Sequence, residues 1–85
     1  MTGMAWTPIQ IEVMDHIIKG NPDGSFLDID QLVPLCSHKP DKPAMRSTIR
    51  FLMKYDMVTR SYEHRRGARR LVITPTLKAY QHRRK

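Results

Sequence analysis

The stretch AMRSTIRFLMKYDMVTR, residues 44–60, carries a helical pattern that gives way to a strand pattern. Four side chains recur at three- and four-residue spacing and share one helix face: Met45, Thr48, Ile49 and Leu52. The opposite face carries Ser47, Arg50 and Lys54. From Met57 onward apolar and polar side chains alternate, which is the period of a half-buried strand. The stretch therefore predicts an amphipathic helix followed at once by a strand.

Capping residues mark both ends of this helix. Asp41 is a favourable N-cap, and Pro43 falls in the first turn, where proline is tolerated. Asp56 follows the helical pattern and accepts the left-handed conformation that ends many helices, although glycine is better suited to it. We predict a helix over residues 42–55.

Upstream, the chain predicts a longer helix, a short strand and a short helix. Thr7 and Pro8 suit the start of a helix, and Gly20 suits its end, which predicts a helix over residues 8–19. Residues 26–27 form a short apolar segment that suits a strand of two or three residues. A helix over about residues 29–36 follows, capped by Asp28 or Asp30, and Pro34 keeps it short.

Downstream, the chain predicts a hairpin over about residues 57–74 and a last helix over about residues 76–83. The β-branched run at residues 71–74 pairs with the strand that starts at Met57, and Gly67 permits the tight turn between them. Five basic side chains lie close to that turn: His64, Arg65, Arg66, Arg69 and Arg70. Glu63 is the only acidic residue near them in the sequence, so we expect the tip to gain most when it meets phosphates.

The charge of the chain is divided between its two halves. The net charge is +7 and the isoelectric point is about 10.1. Residues 1–37 carry −4, whereas residues 38–85 carry +11. A concentrated cationic half is the usual signature of a polyanionic partner, which favours a nucleic acid.

Length and composition restrict the function classes. The 85 residues make one domain with a marginal core and little room for a catalytic cleft. The N-terminus lacks a signal-peptide pattern, and no apolar run approaches the roughly 20 residues that span a bilayer. We expect a cytoplasmic protein that is associated with the nucleoid when bound, has no membrane partner and is not an enzyme.

The single cysteine excludes an intrachain disulfide. Cys36 and His38 have two metal-ligating atoms, but no second pair stands at zinc spacing in the sequence. We predict a structural cysteine, a surface histidine, no metal and no cofactor.

The order of helix, short strand, two helices, hairpin and helix resembles the winged helix-turn-helix family, in particular bacterial regulators of the MarR and PadR kind. The segments that carry the resemblance are residues 44–60 and ITPTLKAY, residues 73–80. In the family pattern a leucine and a polar pair end the recognition helix, a hydrophobic residue and a strand follow, and a threonine starts the helix after the wing. The residues in these slots here are Leu52, Tyr55, Asp56, Met57, Val58, Thr74 and Pro75. The resemblance covers about residues 8–80, with Asp56 where glycine is usual and Pro34 in the preceding helix.

The resemblance implies an α+β fold with a single winged-helix domain whose third helix enters the DNA major groove. The polar face of that helix supplies the candidate contacts Lys42, Arg46, Ser47, Arg50 and Lys54. Arg50 suits guanine, Ser47 suits a base or a phosphate, and Lys54 suits a phosphate. The arginine-rich wing would lie along the backbone or enter the minor groove.

The sequence therefore predicts a sequence-specific protein for double-stranded DNA, a small transcriptional regulator of bacterial, archaeal or phage origin. Two alternatives stay open, a winged-helix module that docks a protein partner and an RNA-binding protein. A homodimer also stays open, with Trp6 or the pair Leu77 and Tyr80 as its surface. Trp6 could equally cover the core of its own domain.

Overall fold

A computed structural model describes residues 6–65 and 67–83, with the backbone alone described at Arg65. Within this part of the chain, four helices and one antiparallel hairpin form a small α+β domain. The elements in chain order are α1 (Pro8–Lys19), α2 (Ile29–Leu35), α3 (Lys42–Lys54), β1 (Val58–Arg65), β2 (Ala68–Pro75) and α4 (Leu77–Arg83). None of the described helices is long and apolar enough to cross a membrane.

Each of the first three helices begins at a side-chain cap. Thr7 caps α1 and Asp28 caps α2, both in capping boxes whose third helical residue is a glutamine. Asp41 caps α3 and accepts a hydrogen bond from the Ala44 N–H at 2.8 Å. Asp28, rather than Asp30, is therefore the cap of α2. These starts agree with the helix starts expected from the sequence.

The helix ends differ slightly from expectation. α2 ends at Leu35 instead of residue 36, because the backbone of Cys36 is already extended. α3 ends at Lys54, and Asp56 adopts a left-handed conformation with φ of 62°. The N–H groups of Met57 and Asp56 donate to the carbonyls of Leu52 and Met53 at 2.9 and 3.0 Å. This is a Schellman motif with aspartate at the position that usually holds glycine.

The hairpin pairs residues 58–65 with residues 68–75 in antiparallel register, from Val58 opposite Pro75 to Arg65 opposite Ala68. Gly67, with φ of 76°, lies in the turn. The expected strand at residues 26–27 is a single bridge, in which the Ile73 N–H donates to the Leu27 carbonyl at 2.8 Å. This bridge connects β2 to the segment that leads into α2.

The core contains the apolar stripes of the first three helices and the base of the hairpin. Its buried side chains are Val13, Met14, Ile17, Leu27, Leu32, Cys36, Met45, Ile49, Leu52, Met57, Val58, Ile73 and Ala79. On α3, Met45, Ile49 and Leu52 are buried, whereas Ser47 and Arg50 are exposed. The polar face of α3 is therefore the outward face, as its periodicity predicts.

Trp6 packs against its own domain. Its ring meets the rings of Phe51, Tyr55 and His82 edge-on, with centroids 5.8 to 5.9 Å apart. The contacts support its role as a cover for the core. Leu77 and Tyr80, the other residues considered for a dimer surface, are exposed on α4.

The orientation of α3 can be tested with two leucine truncations. Leu52 is fully buried, whereas Leu77 is 71% exposed. We expect Leu52→Ala to lower the free energy of unfolding by about 2–5 kcal/mol, because it removes core contacts and leaves a cavity. Leu77→Ala should change it by no more than about 0.5 kcal/mol. Urea unfolding measures both, and equal losses would mean that the stripe does not face the core.

Candidate nucleic-acid interface

The outward face of α3 presents a row of polar and basic side chains. Arg46, Ser47, Arg50 and Lys54 are all exposed. Among the described residues, no carboxylate lies within ion-pair distance of Arg46 or Arg50. The Lys54 ammonium lies 5.8 Å from the centroid of the Tyr55 ring, which is a cation–π distance. This face therefore offers cationic donors that its own domain does not neutralise.

Lys42, at the start of α3, has a carboxylate partner. Its Nζ lies 2.6 Å from Asp30 Oδ1, and both side chains are more than half exposed. Exposed ion pairs contribute about 0–1 kcal/mol, so a phosphate could replace this carboxylate at little cost. Lys42 remains a candidate contact at the edge of the polar face.

The hairpin register separates its basic residues onto two faces. Alternate residues of a strand lie on the same face, so Arg60, Tyr62 and His64 share one face of β1. Directly opposed residues of the two strands also share a face, and Arg69 lies opposite His64. Arg69 therefore lies on the same side of the hairpin as these three residues. The Arg69 guanidinium stacks over the Tyr62 ring at 4.5 Å from its centroid. The Arg65 side chain and all of Arg66 lie outside the described residues.

Arg70 lies on the other face of the hairpin and is engaged within the domain. Its guanidinium donates to Glu63 Oε1 at 2.9 Å, to Asp28 Oδ2 at 2.6 Å and to the Phe26 carbonyl at 2.8 Å. Only 23% of the side chain is exposed. The expectation that Glu63 alone opposes the tip arginines is wrong, because the fold brings the N-cap of α2 to Arg70.

Ion pairs connect the acidic half of the chain to the basic half. Asp28 binds Arg70, Asp30 binds Lys42, and Asp15 binds Arg83 of α4 at 2.7 Å. The separation of charge along the sequence therefore serves partly to hold the fold together. Arg46, Arg50 and Lys54 on α3, and Arg60 and Arg69 on the hairpin, take part in none of these pairs.

A groove between α3 and the hairpin brings three arginines together. Its volume is about 210 Å³, and it is lined by Ile29, Arg46, Ile49, Arg50, Met53, Arg60 and Leu71. No carboxylate is among these lining residues. Arg46 and Arg50 are predicted contacts from α3, whereas Arg60 comes from β1.

Sequence reasoning missed Arg60. Its parity along β1 matches that of the buried Val58, so strand alternation suggests a core-facing position, yet the side chain is exposed. Strand alternation also places Arg60 on the same hairpin face as His64, a predicted DNA contact, and this is the signal that could have identified Arg60. The arrangement combines forked guanidinium donors on a concave surface, which suits phosphate oxygens and the acceptor edges of bases.

Comparisons with protein-family models, with curated proteins and with solved structures give no match to this chain.

Two neighbouring arginines test whether Arg70 holds the hairpin in place. Arg70→Ala would leave Asp28 and Glu63 without their partner, so we expect it to lower the free energy of unfolding by about 1–3 kcal/mol. Arg69→Ala should lower it by less than about 1 kcal/mol, because it removes only an exposed stacking contact. Urea unfolding at low salt distinguishes them. Equal effects would contradict the assignment of Arg70 to the fold.

Proposed function

We propose that this domain is a winged helix that binds double-stranded DNA sequence-specifically and acts as a small transcriptional regulator. The observation that supports the proposal most is the groove in which Arg46, Arg50 and Arg60 meet without a neutralising carboxylate. α3 and the hairpin form the two sides of this surface, and both present cations.

In this proposal α3 enters the major groove. Its 13 residues make a rod about 20 Å long, and a helix of ordinary width fits the roughly 12 Å wide groove. Arg50 reads a guanine through two parallel hydrogen bonds. Ser47, one turn earlier, reaches a base or a phosphate. Arg46 and Lys54 bind phosphates on either side.

The hairpin acts as the wing. Arg60, His64 and Arg69 present one face to the phosphates. The predicted contacts Arg65 and Arg66 belong to the tip of the wing in the sequence. Arg70 takes a different role from its neighbours, because its ion pairs attach the wing to the start of α2. It thereby fixes the angle between the wing and α3 and does not itself bind DNA.

Such a protein regulates by occupancy. The proposed surface has donors for base edges and phosphates, and bound protein would block or recruit polymerase at its site. A protein partner or an RNA duplex could bind the same basic surface, but neither has the wide major groove that α3 would enter in DNA. The following measurements separate these cases.

Affinity for DNA should depend strongly on salt. If one chain neutralises about four to six phosphates, log K should fall against log salt with a slope of about −4 to −5, because binding releases condensed counterions. A fluorescence-anisotropy titration of a duplex across low and moderate salt gives this slope. RNA of the same sequence is the control and should bind more weakly, since its deep, narrow major groove excludes a helix. A flat salt dependence, or preferred RNA binding, would contradict the proposal.

Substitutions on α3 and on the wing should differ in their effect on specificity. Sites are first selected from random duplex DNA. Arg50→Ala should then weaken binding to the selected site by about 1–3 kcal/mol and leave random DNA nearly unchanged, because base readout is lost. Arg69→Ala should weaken both alike and reduce the salt slope by about one. Thermal melts confirm that both variants fold. Equal losses on both DNAs for Arg50→Ala would exclude it as the base-reading residue.

A further inference from the structure

Three metal-ligating side chains meet where α1 contacts the turn between α2 and α3. Glu12 comes from α1, Cys36 is the C-cap of α2, and His38 lies in the turn. Their ligand atoms all lie within 4.8 Å of one another. The sequence around Cys36 and His38 contains no second ligand pair, because Glu12, which joins them in the fold, lies 24 residues before Cys36 in the chain.

A fourth metal-ligating side chain lies next to Glu12 of this cluster. His16 lies one helical turn after Glu12, and its Nε2 is 3.7 Å from Glu12 Oε2. That nitrogen is buried and has no hydrogen-bond partner among the described residues. Buried polar atoms nearly always have a partner, so an unpartnered ring nitrogen beside the Glu12 carboxylate indicates a missing ligand.

We propose that Glu12, His16, Cys36 and His38 bind one divalent transition-metal ion of the zinc type. One sulfur, two imidazole nitrogens and one carboxylate oxygen are the donor set that zinc takes in proteins. Zinc bonds of about 2.0–2.3 Å place tetrahedral ligand atoms roughly 3–4 Å apart. The ligand atoms of Glu12, Cys36 and His38 therefore need to come about 1 Å closer together. His16 Nε2 is already at such a distance from Glu12 Oε2. Glu12, His16 and His38 are each about a quarter exposed, which leaves them room to do so.

The surroundings already hold Glu12 in place. Its carboxylate accepts hydrogen bonds from the N–H and the hydroxyl of Ser37 at 3.0 and 3.1 Å, and it contacts His38 Nδ1 at 3.3 Å. The Ser37 N–H bond is the largest cause of the lowered pKa of Glu12, which keeps the carboxylate in its metal-binding form.

The thiol has to lose a proton when the metal binds. Burial, and then the charge of Glu12, raise the pKa of Cys36, so the thiol is protonated while the site is empty. Metal binding breaks the S–H bond, forms the metal–sulfur bond and releases one proton to solvent. The ion would connect α1 to the turn that leads into α3.

Cobalt is the probe for this site, because a Co²⁺–thiolate bond absorbs in the near ultraviolet. The full chain, kept reduced with a phosphine, should bind one Co²⁺ with a sulfur-to-cobalt charge-transfer band. Zn²⁺ should displace the cobalt and remove the band. Zn²⁺ should also raise the melting temperature by at least about 5 °C, reversibly with a chelator, because it binds only the folded state.

Matched histidine variants locate the ligands. His16→Gln and His38→Gln should each weaken binding by at least about tenfold, and Cys36→Ser should abolish the charge-transfer band. His64→Gln removes a histidine from the hairpin and should bind as the parent does. His38→Gln keeps the test valid if Cys36→Ser fails to fold, because His38 lies in a turn and is not part of the buried core. The absence of the band, or binding that His38→Gln and His64→Gln weaken equally, would overturn the proposal.

Discussion

Burial of the apolar stripe of α3 is the constraint on which the remaining structure depends. A domain of this size buries only about 60% of its unfolded surface, so one helix face is a large share of its core. Met45, Ile49 and Leu52 can be covered only if α1, α2 and the base of the hairpin lie around them. Once that face is buried, the rotation of α3 is fixed. The same packing that stabilises the fold therefore turns Arg46, Ser47 and Arg50 outward.

The ion pairs position the part of the hairpin that apolar packing does not reach. Packing places the base of the hairpin, where Val58 and Ile73 are buried, but its distal half extends beyond the core. Arg70 connects that half to the N-cap of α2 through Asp28, and Glu63 lies on the same face of the hairpin. Adjacent residues of a strand face opposite sides, so Arg69 and Arg70 meet different environments. This separation lets one hairpin be both a cationic surface and an attached structural element.

The part of the fold that could be predicted follows from local signals in the sequence. Helical period, the caps Thr7 and Asp41, and the left-handed residue Asp56 act within a few residues, and they located the helices to within one residue at most ends. The outward face of α3 followed from the same period. Contacts between distant segments could not be predicted in this way. The approach of Asp28 to Arg70 spans 42 residues, and the position of Arg60 depends on how the hairpin lies against α3.

The two proposed sites share no lining residue, yet both depend on α3. The groove with Arg46 and Arg50 lies between α3 and the hairpin, whereas the Glu12–Cys36–His38 cluster lies where α1 meets the turn before α3. In that turn, the Lys39 N–H donates to the Cys36 carbonyl at 3.1 Å, and Lys39 is left-handed with φ of 50°. In the proposed metal site, an ion would connect α1 to this turn, which leads into α3. The proposed metal site therefore lies at the segment that leads into α3, and it shares no residue with the polar face that we propose to bind DNA.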